Sequence, residues 1–373
     1  MAVPLRDRTT SLRRFLSSVA LFCVVAWVGL PAVTVESATT TTTLSSSASV
    51  KWVDQDVSFR SGGLTIYATY RHPVAEKGSV PAVLLIAGSG STDRDGNSSV
   101  EPGPINTLKT LADWLSLDGV ASLRYDKLGS GKTGLGPFVN KIDSIGIKPF
   151  EQESLSALKF LASQKGVDDQ RLGVFGQSEG ALFALLLATG HAGSAPAIHA
   201  LGLLEPLSLR YLSLITVQVD AQVAAQLKAG AITKKLADTV DTTLDEAVTR
   251  LRATGKVKED LPYGLDSVLN AATAKFLYQS DQFDPMSLAA TVPAATAVFL
   301  TCSNDDVQVS CSQVERIAQG LSSAGASVQF VHLVGVDHVL KVDPSGSAAN
   351  YTKNLAFSPA LQRALQQFVS TNL

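Results

Sequence analysis

Residues 172–188 read LGVFGQSEGALFALLLA, and this stretch decides the fold. Its first four residues predict a short strand, and residues 181–188 continue as an apolar helix. Between them lies the pattern Gly-x-Ser-x-Gly, centred on Ser178. Flanking glycines lack the Cβ atoms that would clash where a serine sits on a sharp strand-to-helix turn. An ordinary glycine turn is the alternative, but this context predicts that Ser178 is a nucleophile.

Short apolar runs alternate with helical patterns on both sides of this stretch. Unbroken apolar runs are typical of strands that are buried on both faces of a sheet. The predicted strands cover residues 83–87, 120–125, 172–175, 198–204, 297–301 and 328–333, and helices are predicted at 151–163 and 359–369. This alternation indicates an α/β protein with a mostly parallel, doubly wound sheet.

Residues 205–293 break the alternation, because they carry helical periodicity without a clear buried strand. Gly230 and Gly255 follow two of the periodic segments and are plausible helix stops. We predict a helical cap at 205–293, inserted into a core formed by 50–204 and 294–373. A surface subdomain is the alternative, but insertions at the carboxyl edge of a sheet lie where ligands bind.

The N-terminal 37 residues have the layout of a secretory signal peptide. Four arginines precede the apolar run 15–30, and small residues follow it. Residues 38–49, ATTTTTLSSSAS, predict a flexible leader. The protein is therefore expected to be exported, to the periplasm, the cell envelope or the medium. The alternative is an uncleaved anchor, which would be the chain's one contact with a membrane.

Removal of the signal peptide would leave two of the three cysteines, Cys302 and Cys311. An even pair in an exported chain favours a disulfide, because that compartment permits oxidation. The alternative is two small buried hydrophobic residues.

Charge and motif content exclude several classes of ligand. The formal net charge is −2, and no basic stripe predicts binding to nucleic acid. The five histidines are scattered, so no metal site is predicted. The loop at 88–91, GSGS, lacks the lysine and spacing of a phosphate-binding loop, and no nucleotide-binding pattern opens a helix there. We expect no cofactor.

A serine nucleophile needs a base, and His338 is the candidate because it follows the last predicted strand. His72 and His191 flank the wrong elements. His199 and His332 fall inside predicted strands, where packed side chains are expected.

The third member of such a triad accepts a hydrogen bond from the imidazole. Asp305 and Asp306 both follow the strand at 297–301, at the same sheet edge as the serine. The residues by themselves leave both aspartates open. Asp337 is expected to be a surface or loop-structuring residue, because adjacent side chains point apart.

Two backbone N–H groups are expected to stabilise the oxyanion that forms during attack. One belongs to Glu179, the residue after the nucleophile, and the other lies near Ser89 in the loop after the strand at 83–87. Gly88 and Gly90 allow a substrate carbonyl to approach this loop closely.

Several further motifs accompany these residues. They are AGSGSTDRDGN at 87–97, RYDKLGSGK at 124–132, GQSEG at 176–180, FDP at 283–285, DVQV at 306–309 and HVLK at 338–341. With them the chain resembles, from about residue 53 onward, a bacterial family of α/β-hydrolases that includes serine aminopeptidase-like and dienelactone-hydrolase-like esterases. The resemblance implies the α/β-hydrolase fold, a helical cap and carboxylesterase activity on small acyl esters.

The resemblance also implies that Asp306 is the acidic member, because Gln-Val follows it two places on, as in the family. Three departures from the family pattern bear on substrate preference or on the basicity of His338. Gln177 stands where histidine is common, residues 302–304 replace a usual glycine, and Asp337 stands where asparagine is frequent.

Charged residues in two of these motifs are expected to form a network that holds the oxyanion loop. They are Asp93, Arg94, Asp95, Asp126 and Lys127. The alternative for Arg94 is to bind a substrate carboxylate.

The expected reaction is hydrolysis of a small-molecule ester through an acyl-enzyme. One alternative is an envelope acyltransferase or a peptidase with the same triad. Another is an inactive binding protein of the same fold, against which the intact set of Ser178, Asp306 and His338 argues. Haloalkane and epoxide chemistry would require an aspartate at position 178.

Overall fold

The structure, a computed structural model, describes residues 51–74 and 78–373. The predicted signal peptide at 1–37, the leader at 38–49 and Cys23 lie outside these residues.

Eight strands in the described chain form one mixed sheet, in the order β1-β2-β4-β3-β5-β6-β7-β8. They are β1 (Trp52–Ser61), β2 (Leu64–Pro73), β3 (Val80–Ile86), β4 (Ala121–Tyr125), β5 (Val167–Gln177), β6 (Ala200–Leu204), β7 (Ala297–Ser303) and β8 (Ser327–Leu333). Strand β2 runs antiparallel to β1 and β4, whereas β3 to β8 are parallel. The prediction of a mostly parallel sheet is confirmed.

Helices cover both faces of the sheet. They are α1 (Thr107–Leu117), α2 (Lys148–Ala162), α3 (Glu179–Ala188), α4 (Tyr211–Lys228), α5 (Lys234–Thr254), α6 (Ala271–Ser280), α7 (Pro285–Ala289), α8 (Cys311–Ser323) and α9 (Pro359–Asn372). Successive strand residues point to opposite faces, so Leu84 joins one apolar cluster with α2 and α3. Val83 and Leu85 join the other, with α1 and α9. This double burial explains the unbroken apolar runs.

The hairpin of β1 and β2 was not predicted, although the sequence carries a signal for it. Gly62 and Gly63 connect the two strands, and both have positive φ, 52° and 87°. Two residues with positive φ form the connection whose twist matches a hairpin, and two glycines adopt it without steric cost.

Between β6 and β7 the described chain has helices and no strand. Helix α5 ends at Gly255, which has φ 67°, as its predicted stop requires. The buried carboxylate of Asp281, after α6, joins these helices. It accepts hydrogen bonds from Arg210 and Arg252 at 2.9 Å each, and from the backbone N–H of Leu212 at 2.8 Å. Across residues 51–74 and 78–373, none of the helices combines the length and the apolar character that a bilayer span requires.

Candidate active site

Ser178 lies on a strained turn between β5 and α3, with φ 55° and ψ −120°. The turn is closed so tightly that side chains cannot replace the flanking glycines. A Cβ on Gly176 would lie 2.1 Å from the carbonyl oxygen of Gly180, and one on Gly180 would lie 2.2 Å from that of Ile86. The Gly-x-Ser-x-Gly spacing is therefore a steric requirement of this turn, and the turn leaves the serine hydroxyl at the sheet edge.

The structure brings together Ser178, His338 and Asp306. Ser178 Oγ lies 3.0 Å from His338 Nε2, and His338 Nδ1 lies 2.7 Å from Asp306 Oδ2. Asp306 follows β7 and His338 follows β8, so the parallel sheet delivers both to the edge where Ser178 sits. His338 and Asp306 are buried, which shields their hydrogen bond from water.

Further hydrogen bonds orient Asp306, and its partners differ from those of the neighbouring Asp305. Asp306 Oδ1 accepts hydrogen bonds from the backbone N–H groups of Gln308 and Val309, at 2.7 and 3.1 Å. Asp305 Oδ2 instead accepts from the N–H of Gly335 at 2.7 Å. The two aspartates that the residues left open thus occupy different places, and Asp306 is the one that meets the imidazole.

Gln177 supports the loop that carries His338, a contact that the sequence did not predict. Its Nε2 donates a hydrogen bond to the carbonyl oxygen of His338 at 3.0 Å. A Cβ on Gly88 would lie 2.6 Å from Gln177 Oε1. Glycine at 88 and glutamine at 177 therefore fit each other, and this departure from the family motif has a local structural role.

The two segments expected to supply oxyanion donors lie on either side of Ser178. Ser89 is buried and lines a small cavity together with Ser178 and His338. Glu179 is the first residue of α3, where backbone N–H groups have no partner within the helix.

Lys127 connects these two segments. Its buried ammonium group donates to the carbonyl oxygen of Gly88 and to Glu179 Oε1, the latter at 3.1 Å. Tyr211, the first residue of α4, donates its hydroxyl to Glu179 Oε2 at 2.5 Å. Lys127 thus contacts the oxyanion loop as expected, whereas Tyr211 carried no sequence signal because only the fold brings α4 to this point.

Arg94 uses its guanidinium within the protein. Nε and Nη2 donate to the carboxylate of Asp126 at 3.1 and 2.8 Å. Nη1 donates to Asp56 and to the carbonyl oxygen of Ala68, both at 2.9 Å. The geometry matches the structural network that the motifs predicted and leaves no guanidinium nitrogen for a substrate carboxylate.

Beside Glu179 a cavity lies between the oxyanion loop and the helices that follow β6. Its wall is mainly apolar and includes three aromatic rings. The Phe276 ring makes edge contacts with Phe150 and Tyr211, at centroid distances of 5.1 and 5.6 Å. The other lining residues are Gly90, Ser91, Lys127, Leu128, Gly129, Leu135, Ile142, Ile145, Ala272 and Thr273.

Asp337 is buried rather than at the surface, and it orders the loop around His338. Its Oδ1 accepts from the N–H groups of Lys341 and Val339, at 2.8 and 3.1 Å. Its Oδ2 is buried and has no hydrogen-bond partner among the described residues. Burial raises the pKa of Asp337 to about 6.

Asp337→Asn is expected to change how stability depends on pH. The unfolded chain releases this proton near pH 4 and the folded chain near pH 6, so ionisation lowers the wild-type free energy of unfolding across that window. Two pKa units correspond to about 3 kcal/mol. From pH 4 to pH 7, the free energy of unfolding of the variant, measured with urea, should rise by about that much relative to that of the wild type. Parallel changes in the two proteins would contradict the assignment.

Cys302, in β7, and Cys311, the first residue of α8, are joined by a disulfide. The bridge closes the loop that carries Asp306. His332 lies beside it, with Nδ1 3.5 Å from Cys302 Sγ. In the described chain these three residues form a cluster at metal-ligand spacing, but the bridge commits both sulfurs. His332 is exposed, and its ring lies next to that of Phe330. The expectation of a packed side chain at this position was wrong.

Reduction of this bridge is expected to lower both the melting temperature and the catalytic activity. Loss of a short closed loop costs about 2–3 kcal/mol of stability, and the loop that orients Asp306 then gains freedom. Calorimetry and ester hydrolysis with and without dithiothreitol measure both effects. The double variant Cys302→Ala/Cys311→Ala is the control, because it should no longer respond to the reductant. Unchanged values in the wild type would reject the role of the bridge.

No protein-family model and no curated protein matches the sequence. Solved structures do match. Est1E from Butyrivibrio proteoclasticus with bound ferulic acid has a TM-score of 0.52 at 16% identity, covering 85% of this chain and 98% of its own. An acetyl xylan esterase from Paenibacillus sp. R4 has a TM-score of 0.50 at 17% identity, with coverages of 86% and 84%. The esterase Pf2001 of Pyrococcus furiosus has a TM-score of 0.50 at 14% identity, with coverages of 87% and 92%.

The chain has the α/β-hydrolase fold. Its mostly parallel eight-stranded sheet and its matches to solved structures over most of the chain support this fold. In this α/β-hydrolase fold Ser178 follows β5, Asp306 follows β7 and His338 follows β8. At such low identity the likeness establishes the fold, and the chemistry must be argued from the site itself.

Proposed function

We propose that this protein is a serine carboxylesterase with Ser178 as nucleophile, His338 as base and Asp306 as the orienting acid. The observation that carries the proposal is the pair of hydrogen bonds from Ser178 Oγ to His338 Nε2, 3.0 Å, and from His338 Nδ1 to Asp306 Oδ2, 2.7 Å. These three groups in this order are what a serine needs in order to attack a carbonyl carbon.

In the first half-reaction His338 removes the hydroxyl proton as Ser178 Oγ bonds to the ester carbonyl carbon. The carbonyl oxygen becomes an oxyanion, which the N–H groups of Glu179 and Ser89 stabilise. Asp306 holds the imidazole with Nδ1 protonated and offsets the charge of the imidazolium. His338 then donates its proton to the leaving alcohol, and the acyl-enzyme remains.

In the second half-reaction a water molecule takes the place of the alcohol. His338 removes one of its protons while the oxygen attacks the acyl carbon, and the same N–H groups stabilise the second oxyanion. Collapse of this intermediate releases the carboxylic acid and returns the proton to Ser178 Oγ. The cycle needs no cofactor, since each proton moves through His338.

We propose esters with small or medium acyl chains as substrates. The support is the apolar wall of the cavity beside Glu179. Phe150, Phe276 and Tyr211 provide flat surfaces for an aromatic or branched group. The neighbour with bound ferulic acid makes aromatic acyl esters a class to include in assays.

Export and a capped architecture complete the proposal. Residues 1–37 would be removed as a signal peptide, and residues 38–49 would precede the core. Residues 205–293 would form the cap, a role that the helices lining the cavity beside Glu179 support. Mass spectrometry of the N-terminus of the protein exported by an expression host tests removal of the signal peptide. An exported protein that still begins at residue 1 would contradict cleavage.

Hydrolysis of p-nitrophenyl esters from C2 to C16 tests the activity. Turnover together with labelling of Ser178 by a fluorophosphonate would support the esterase and size the acyl pocket. No turnover and no labelling would overturn it in favour of a binding protein. Labelling without hydrolysis would indicate another acceptor, which product analysis with added alcohols or amines identifies.

A further inference from the structure

Glu205, the residue after β6, is a fully buried carboxyl that the mechanism above does not use. Its exposed fraction is 0%, and it has φ 42°, in the left-handed region that residues other than glycine seldom adopt. The backbone beside it is joined to the nucleophile turn, because the N–H of Ser178 donates to the carbonyl oxygen of Leu204 at 2.9 Å. A strained backbone and a buried carboxyl together need a structural explanation.

Hydrogen bonds to β7 hold the side chain of Glu205 in one orientation. Its Oε2 accepts from the backbone N–H of Ser303 at 3.0 Å, and its Oε1 accepts from Thr301 Oγ1 at 3.2 Å. Thr301 Oγ1 also accepts from the backbone N–H of Glu205 at 3.1 Å. These contacts fix the carboxyl at the base of the loop that carries Asp306.

Besides these contacts on β7, the Glu205 carboxyl group lies near that of Asp306, close enough for the two to interact. Two carboxylates cannot share a hydrogen bond unless one of them keeps its proton. Burial, together with the neighbouring Asp306 carboxylate, raises the pKa of Glu205 well above its usual range. The neighbours on β7, Thr301 and Ser303, are neutral and bring no positive charge. If the two carboxyl groups share a hydrogen bond, Glu205 is therefore the one that carries the proton.

We propose that Glu205 is a positioning residue of the active site, a neutral carboxylic acid that donates a hydrogen bond to Asp306 and holds it against His338. The inference rests on the proposed function. A carboxylate accepts about four hydrogen bonds. With Gln308 N–H, Val309 N–H, His338 Nδ1–H and Glu205 as donors, that capacity is filled. A full set of donors keeps a buried carboxylate charged and in place.

Two substitutions separate the hydrogen bond from the space that the side chain fills. Glu205→Gln has a similar shape, an N–H₂ group that donates to Asp306 and an oxygen that accepts from Ser303. Glu205→Leu fills a similar volume but donates nothing. Glu153→Leu is the matched control, because Glu153 is also fully buried, accepts from the N–H of Leu128 at 2.8 Å and has a pKa raised by burial to about 8.

The experiment measures the rate of Ser178 labelling by a fluorophosphonate, and kcat and KM for the best p-nitrophenyl ester, in the full mature chain. We expect Glu205→Leu to lose about ten- to a hundredfold in labelling rate and kcat, with KM within about threefold, as for a lost hydrogen bond to a charged group. Glu205→Gln should stay within about threefold of wild type. Glu153→Leu should melt at a lower temperature and keep its kcat.

Two results would overturn the inference. One is a folded Glu205→Leu that labels at the wild-type rate. The other is a Glu205→Gln that is folded yet impaired by tenfold or more, because the native group would then act as a carboxylate. The measurement on Glu205→Gln tests the inference even if Glu205→Leu does not fold. Absence of labelling in the wild type would instead reject the proposed function, and the two failures are thereby distinguished.

Discussion

Ser178→Ala is expected to lower kcat by at least about 10⁴-fold for every ester that the wild type cleaves. The substitution removes Ser178 Oγ, the atom that would form the acyl bond and that lies 3.0 Å from His338 Nε2. Alanine at position 178 would adopt the same positive-φ backbone conformation as serine does. The free energy of unfolding should therefore change by no more than about 1 kcal/mol.

Steady-state hydrolysis and fluorophosphonate labelling measure this loss. Ser370→Ala, on the exposed face of α9, is the matched control and should label and turn over like the wild type. Residual turnover above about one part in 10³ by a pure Ser178→Ala protein would mean that another group is the nucleophile.

Asp306→Asn is expected to cost about 10³- to 10⁴-fold in kcat, through the tautomer of His338. Oδ1 of residue 306 is held by the N–H groups of Gln308 and Val309, so an asparagine would keep its amide oxygen there. Its N–H₂ group would then face His338 Nδ1, which can accept that bond only when it is unprotonated. The proton moves to Nε2, and the imidazole can no longer accept a proton from Ser178.

Asp305→Asn is the matched control, because it makes the same chemical change one residue away. Asp305 Oδ2 bonds to the N–H of Gly335 at 2.7 Å, a contact that an amide oxygen can keep. We expect kcat within about threefold of wild type, since no charge next to the imidazole is lost. Single-turnover assays on both variants measure the difference. Equal losses would show that the loop as a whole, and not Asp306, supports His338.

Local patterns were sufficient for most of the fold. Parallel strands buried on both faces are typically apolar, so β3 was visible as an unbroken apolar run. Only the buried end of β5, at 172–175, was visible as a short strand, because the first half of β5 is polar. Strand β1 was not predicted because its apolar residues are interspersed with exposed polar ones. The signal for the hairpin that it forms lies in the glycine pair at 62–63.

The sequence alone was enough to choose the residues proposed as nucleophile and base. A turn this tight admits only glycine at positions 176 and 180, so chemistry and sterics leave a readable pattern around Ser178. His338 was identifiable because it follows the last strand, and a parallel sheet brings the ends of its strands to one edge. The glycine requirement at the turn acts within a few residues, and the position of His338 follows from strand order, so both can be read from the sequence.

Only the tertiary structure decided which groups meet across the fold. Asp305 and Asp306 are chemically identical neighbours, and apart from the resemblance of the motif at 306–309 nothing in the sequence separates them. The turn after β7 directs only Asp306 to the imidazole. Glu205 lies about a hundred residues from Asp306 in the chain and meets it because β6 and β7 are adjacent in the sheet. Such contacts depend on side-chain direction and packing between distant segments, and neither leaves a periodic or spaced pattern in the sequence.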